Sequence, residues 1–184
     1  MHPWHFFGIF SIIYRMAQDD LRTLWAPWRI GYILGPRSGR CVFCDKAGAP
    51  REEDAENLVL ERGTLCYVLM NAYPYNPGHL LVAPYAHVAA MEDTDRDALV
   101  EMLDLTVAWK RRLDTVVRAH GVNVGINLGS AAGAGITDHL HLHLVPRWQG
   151  DTNFMTTSAG TRVMSQALDE LYCLLHTSLT KETA

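Results

Sequence analysis

The chain lacks several things that would place it outside an ordinary folded domain. Four cysteines in 184 residues are too few for a disulfide-stapled scaffold. Positive charge is scarce: 16 Lys and Arg against 20 Asp and Glu leave a formal net charge of −4, which argues against a general nucleic-acid binder. No stretch reaches the ~20 apolar residues of a membrane helix. The most apolar run, residues 4–14 (WHFFGIFSIIY), has no Lys or Arg before it and no small-residue cleavage pattern after it. It is too short for a membrane anchor and reads as an upstream extension, with a secretory signal as the alternative. Repeats and low-complexity tracts are also missing. What is present is 48% hydrophobic and 20% charged residues, enough for a core. We expect residues 1–20 to form a poorly ordered extension and residues 21–184 to form one domain. A cytoplasmic location with reduced thiols is expected.

Residues 35–56 are rich in Gly, Pro, Arg and acids, and predict an irregular segment. Strand-like runs follow at 57–61, 65–70 and, after the Asn76-Pro77-Gly78 turn, 79–83. From Thr94 the period changes to helical. Thr94-x-x-Asp97 resembles a capping box, and Leu99, Met102, Leu103, Leu113, Val116 and Val117 predict the buried stripe. Gly121 is the expected helix cap. Residues 122–128 and 139–145 predict two more strands, joined by the small-residue loop 129–135 (GSAAGAG). A second helix is predicted over 161–175. Cys66 and Cys173, both in apolar runs, are expected in the core. The pattern is that of an α+β domain with a largely antiparallel sheet.

The strongest signal is His139-Leu140-His141-Leu142-His143-Leu144-Val145. Strand periodicity puts the three histidines on one face and the leucines on the other, facing the core. Three imidazoles on an exposed face have no packing rationale. Neutral imidazole is a nucleophile near neutral pH, and its protonated form stabilises negative charge. Attack on a phosphate ester needs both. The Gly-rich loop leading into the row offers backbone N–H groups that approach phosphate closely. Alternate strand positions diverge too far for all three histidines to meet one metal ion. Cys41-Val42-Phe43-Cys44 is a CxxC knuckle, open to a redox role or to half of a zinc site, although no βαβ pattern favours a thioredoxin-like use. Arg147 either binds phosphate or caps a strand end. Trp25, Trp28 and Trp148 either stack on a base or pack at a subunit contact.

His-x-His-x-His followed by apolar residues resembles the signature of the histidine triad (HIT) superfamily of nucleotidyl hydrolases and transferases. Asn71 with Asn76-Pro77-Gly78-His79-Leu80-Leu81-Val82, Asn127-Leu128-Gly129 and Pro146-Arg147 agree with it. With Thr23-Leu24-Trp25-Ala26-Pro27-Trp28-Arg29 and the Arg147-Trp148-x-Gly150-Asp151-x-Asn153 run, the chain is most similar to the bacterial diadenosine tetraphosphate phosphorylase-like branch.

The resemblance implies a HIT-like antiparallel sheet of about five strands, one long helix and a C-terminal helix, in a homodimer. It makes His141 the nucleophile that forms a nucleotidyl-histidine, with His143 on the phosphate oxygens and His139 completing the catalytic triad. It places Asn71, His79, Asn127, Gly129, Ser130, Gly133, Gly135 and Arg147 around the substrate, a nucleotide or dinucleoside polyphosphate, with Mg2+ accompanying the polyphosphate. It also implies a structural Zn2+ on Cys41, Cys44, His87 and His139. Many family members carry Gln four residues before the first histidine. Gly135 stands there in this chain, which leaves water or inorganic phosphate as acceptor, a hydrolase of dinucleoside polyphosphates or phosphoramidates against a phosphorylase. The flanking Trp and Asn motifs favour the phosphorylase. A non-catalytic purine-nucleotide sensor is the alternative of another class.

Overall fold

The structure is a computed structural model and describes residues 39–151 and 167–181. The extension 1–20, the Thr23–Arg29 motif with Trp25 and Trp28, and Asn153 lie outside these residues. Five strands form one antiparallel sheet: β1 (Val59–Arg62), β2 (Cys66–Met70), β3 (Leu80–Pro84), β4 (Gly121–Ile126) and β5 (Leu142–Arg147), in the order β1-β2-β3-β5-β4. Among the described residues three α-helices accompany it: α1 (Val42–Gly48), the long α2 (Arg96–Val116) and the C-terminal α3 (Leu168–Lys181). The α+β expectation holds, as do the number of strands and the two principal helices.

Side-chain alternation divides the sheet into two faces. On one, Cys66, Val68, Met70, Leu80, Val82, Leu142 and Leu144 pack against α2 and α3. On the other, Tyr67, Leu69, Leu81 and Ala83 meet Phe43 of α1 in a smaller core. β2 and β3 are therefore buried on both sides. The inward stripe of α2 is Ala98, Met102, Leu105, Thr106, Trp109 and Leu113, at helical spacing. Leu103, expected in that stripe, is 59% exposed because it lies about 100° round the helix from Met102. Trp109 fills the centre, fully buried, and its indole N–H donates to Glu61 Oε2 at 2.7 Å.

Local chemistry explains several shifted boundaries. The segment expected to be irregular contains α1 and a 3-10 turn at Arg51–Glu53. Arg62, reaching from β1, donates to the carbonyls of Lys46, Ala47 and Ala49 and pairs with Asp54, so it satisfies the end of α1 from outside the helix. The N-cap of α2 is Asp95, whose Oδ1 accepts from Asp97 N–H at 2.7 Å, one residue after the Thr94 expected there. Thr94 instead donates its hydroxyl to Ala90 O. The helix ends at Val116, and Gly121 opens β4. α3 runs from Leu168 to Lys181, past the expected end, while residues 161–166 of the predicted helix lie outside the described residues; its inward residues are Leu171, Tyr172 and Leu175, which leaves Cys173 exposed and corrects its core assignment. No helix among the described residues is long and apolar enough to cross a membrane. Replacement of the α2 cap, Asp95→Ala, is expected to cost about 1 kcal/mol in urea denaturation. The change Thr94→Ser, which keeps the hydroxyl but leaves the cap intact, should cost less.

Candidate active site

The histidine row is only partly strand. The ladder begins at Leu142, with Leu81 and Gly125 flanking His143, so His139 and His141 precede the paired region. That approach is fixed by Leu140 N–H donating to Val88 O at 2.6 Å. The face is not open as expected: His139 is 1% and His141 6% exposed. The cover comes from Phe43, whose ring lies 5.0 Å from that of His139 and 4.8 Å from that of His141.

Hydrogen-bond partners assign the ring protons. His141 Nδ1 lies 2.8 Å from the carbonyl oxygen of His139, so it carries the proton and donates. The lone pair is left on His141 Nε2. A second chain starts at Tyr75, whose backbone N–H donates to His79 Nδ1 at 3.1 Å. His79 Nε2–H then donates to His143 Nδ1 at 2.9 Å. The remaining proton of neutral His143 is on Nε2, a buried atom with no hydrogen-bond partner. The site thus presents a bare lone pair on one ring and an unspent N–H on its neighbour, with ring centres 4.9 Å apart. Both are what in-line attack on phosphorus requires: an attacking atom and a donor for developing negative charge.

Burial keeps these rings neutral. It pushes His79 down to about 3 and His143 to about 4, helped in each case by histidine neighbours. It also lowers His141, with the bond to the His139 carbonyl opposing. His79 is fully buried beneath the Tyr75 ring, 4.8 Å away and stacked. Asn71 Nδ2 lies 3.3 Å from His79 Nδ1, and its Oδ1 accepts from Tyr73 N–H at 2.9 Å. The turn before His79 closes through His79 N–H to Asn76 O at 3.1 Å, with Gly78 at φ +76°, the conformation a Pro-Gly turn of this type demands.

The loop after β4 runs over Asn127 into a 3-10 turn at Ser130–Ala132, bounded by Gly129 (φ +80°) and Gly133 (φ +87°). Asn127 stands one residue beyond the last registered pair, Ile126 with Leu142, and so beside His141. Gly129, Ser130, Gly133 and Gly135 are exposed along the same path. Arg147 is spent differently. Its guanidinium pairs with Asp151 and donates to Asn123 Oδ1 at 2.9 Å. Asp151, held well below the usual carboxylate range chiefly by Arg147, also accepts from Asn76 Nδ2 at 3.0 Å. Of the two readings of Arg147, this network matches the strand-end cap. Trp148 donates its indole N–H to Val117 O at 3.2 Å, packing at the end of α2.

Cys41, Cys44, His87 and His139 converge, with their ligand atoms all within 4.8 Å of one another. His139 Nδ1 is 3.3 Å from Cys41 Sγ and 3.6 Å from Cys44 Sγ, and His87 Nδ1 is 3.3 Å from Cys44 Sγ. Tetrahedral zinc, with bonds of about 2.3 Å to sulfur and 2.0–2.1 Å to nitrogen, separates S and N ligands by about 3.5 Å. His139 Nε2–H donates to Pro84 O at 2.9 Å, which leaves Nδ1 free of its proton and turned to the thiols. The donor set fits a closed structural metal site.

The profile of the HIT domain matches residues 51–150. The chain belongs to the HIT family. The AP-4-A phosphorylase of Mycobacterium tuberculosis (strain ATCC 25618 / H37Rv) is 40% identical to it over 171 residues, which cover 90% of this chain and 88% of the relative. A zinc-bound histidine triad family protein from Mycobacterium smegmatis superposes with a TM-score of 0.63 at 26% identity, over 79% of this chain and 96% of the other. A histidine triad nucleotide-binding protein from Sulfolobus tokodaii has the same fold: TM-score 0.59, 24% identity, 77% of this chain and 93% of that one.

Sequence reasoning missed three parts of this HIT site: Phe43, Tyr75 and the carbonyl of Pro84. Phe43 carried a usable signal, a large apolar residue between the two cysteines of the knuckle. Pro84 acts through its backbone, which leaves no trace in residue type.

The neutral buried histidines make acid sensitivity a property of the fold. In the unfolded chain these rings protonate near 6.5, and in the folded chain His79 does so only near 3. Between those values the unfolded state binds the extra proton, so stability is full above about pH 6.5 and declines as pH falls toward 3. Urea midpoints should drop from about pH 7 to about pH 5, and His79→Gln, which cannot titrate, should flatten that slope.

Proposed function

We propose that this HIT protein cleaves dinucleoside polyphosphates by a two-step nucleotidyl transfer through His141, as a diadenosine tetraphosphate phosphorylase. The observation that carries the proposal is the pair of fixed tautomers, a bare Nε2 on His141 beside an N–H on His143. The 40% identity to the mycobacterial AP-4-A phosphorylase supports the choice of substrate. In the first step the His141 Nε2 lone pair attacks the α-phosphorus. The bond from phosphorus to the bridging oxygen breaks, its electron pair leaves on ATP, and His143 Nε2–H donates to that oxygen. In the second step an oxygen of inorganic phosphate attacks the same phosphorus. The P–N bond breaks, ADP departs, and its electron pair returns to His141. Asn71 and His79 would lie towards the ribose, while Asn127 and the amides of Gly129, Ser130, Gly133 and Gly135 would meet the phosphates. His139 would support the nucleophile through its carbonyl. Arg147, occupied by Asp151, would shape the end of the site without binding phosphate.

Zinc on Cys41, Cys44, His87 and His139 would pin α1 to the residue that supplies that carbonyl. Among the described residues this is the one such ligand cluster, so Mg2+ would arrive on the polyphosphate. A homodimer is supported by the edge of β4, unpaired among the described residues and with exposed Val124, and by Val100, Leu103 and Val107, an exposed apolar stripe at helical spacing on α2. A cytoplasmic setting accords with thiols arranged as metal ligands.

With diadenosine tetraphosphate and phosphate the expected products are ADP and ATP, separated by chromatography. AMP and ATP formed equally well without phosphate would make the enzyme a hydrolase, and tight nucleotide binding without turnover would make it a sensor. His141→Ala should lower kcat by about 1,000-fold or more while leaving nucleotide binding in place. Because burial lowers His141, kcat/KM should hold through the usual histidine value and decline only at lower pH. Metal analysis should give about one zinc per chain, lost in the Cys41→Ala, Cys44→Ala double variant.

A further inference from the structure

Phe43 lies between the two cysteines of the knuckle, yet its side chain is used elsewhere. It is 2% exposed, and its ring is tilted 34° to the ring of His141 at 4.8 Å. The ring of His143 also stands against His141, at 4.9 Å and 63°. The nucleophile is thus held by one hydrogen bond, to the His139 carbonyl, and by two rings. A hydrogen bond at Nδ1 restrains that atom but leaves the imidazole able to tilt about it. Packing against Phe43 is what removes this freedom.

The wall is anchored by groups other than the cysteines of the knuckle. The backbone carbonyl of Phe43 accepts from the buried Tyr67 hydroxyl at 2.8 Å. Arg62 holds the far end of α1 through three carbonyls. The ring sits in a cluster with Val59, Tyr67, Leu69, Leu81 and Ala83. We propose that Phe43 is a positioning residue for the nucleophile: its ring fixes the plane of the His141 imidazole, so that Nδ1 stays on the His139 carbonyl and Nε2 faces the substrate phosphorus. This rests on His141 being the nucleophile. It gives the knuckle a second task, since the segment that would carry the metal ligands also carries the catalytic wall.

The test is Phe43→Leu, which removes the ring and retains apolar bulk. The expected result is a kcat lower by about 10- to 100-fold with KM changed less than about threefold, the signature of a misaimed attacking atom. Nitrogen-15 NMR of the histidine rings should show His141 passing from a single Nδ1–H tautomer to a mixture, in the absence of substrate. Val59→Ala, in the same cluster but on β1, separated from β5 by β2 and β3, should leave both readouts unchanged. Should Phe43→Leu fail to fold, Phe43→Met is read by the same two measurements. An unaltered tautomer with kcat within twofold of the parent would overturn the proposal. So would an equal loss of kcat in Val59→Ala. Failure of the nucleophile assignment is distinguished by His141→Ala: if that variant still turns over, the assignment itself is wrong, whatever Phe43→Leu does.

Discussion

One hydrogen bond organises the site. The carbonyl of His139 takes the Nδ1 proton of His141 at 2.8 Å, and that contact decides which nitrogen of the central imidazole can react. An imidazole in free solution exchanges its tautomers and loses its lone pair whenever it protonates. Here burial disfavours the charged form and the carbonyl disfavours the other tautomer, so the atom proposed to attack would be prepared before substrate arrives. The position of that carbonyl is therefore what the proposed chemistry depends on. It is set from both ends of His139, by the Leu140 N–H bond to Val88 O in the main chain and by the Pro84 carbonyl and the thiols at the ring.

The sheet makes this possible because its inner strands β2 and β3 are buried on both faces. The helical face supplies the principal core, with Trp109 at its centre. The opposite face is covered by α1 and by the histidines themselves, so their desolvation is part of the packing and not an accident of a cleft. A second chain of fixed protons, from the Tyr75 amide through His79 to His143, uses the same low-dielectric layer to hold a donor ready. Acid sensitivity of folding and readiness for chemistry are thus two consequences of one arrangement.

Much of this was legible in the sequence. The alternation of His139, His141 and His143 marked one face, Cys41 and Cys44 marked half of a possible ligand set, and the family resemblance added His87 and His139, which the fold does bring together with them. Period and residue type carry such information. What was not legible depends on partners far along the chain. The histidine face was expected to be exposed because nothing local shows that Phe43, nearly a hundred positions earlier, covers it. Leu103 and Cys173 were assigned inward because an apolar residue near a helical stripe is not distinguishable from one within it until the helix is rotated against its neighbours. Thr94 and Asp95 both have capping side chains, and only the hydroxyl's capture by Ala90 O decides between them.

The most direct test of the central claim is to trap the intermediate. Enzyme mixed with diadenosine tetraphosphate without phosphate, quenched in alkali and digested, should yield one peptide heavier by an adenylyl group, with the modification on His141. Phosphorus NMR of the same sample should show the phosphoramidate signal expected for attachment through nitrogen. An adduct on another side chain, or steady product formation in which no adduct is ever found, would contradict the account.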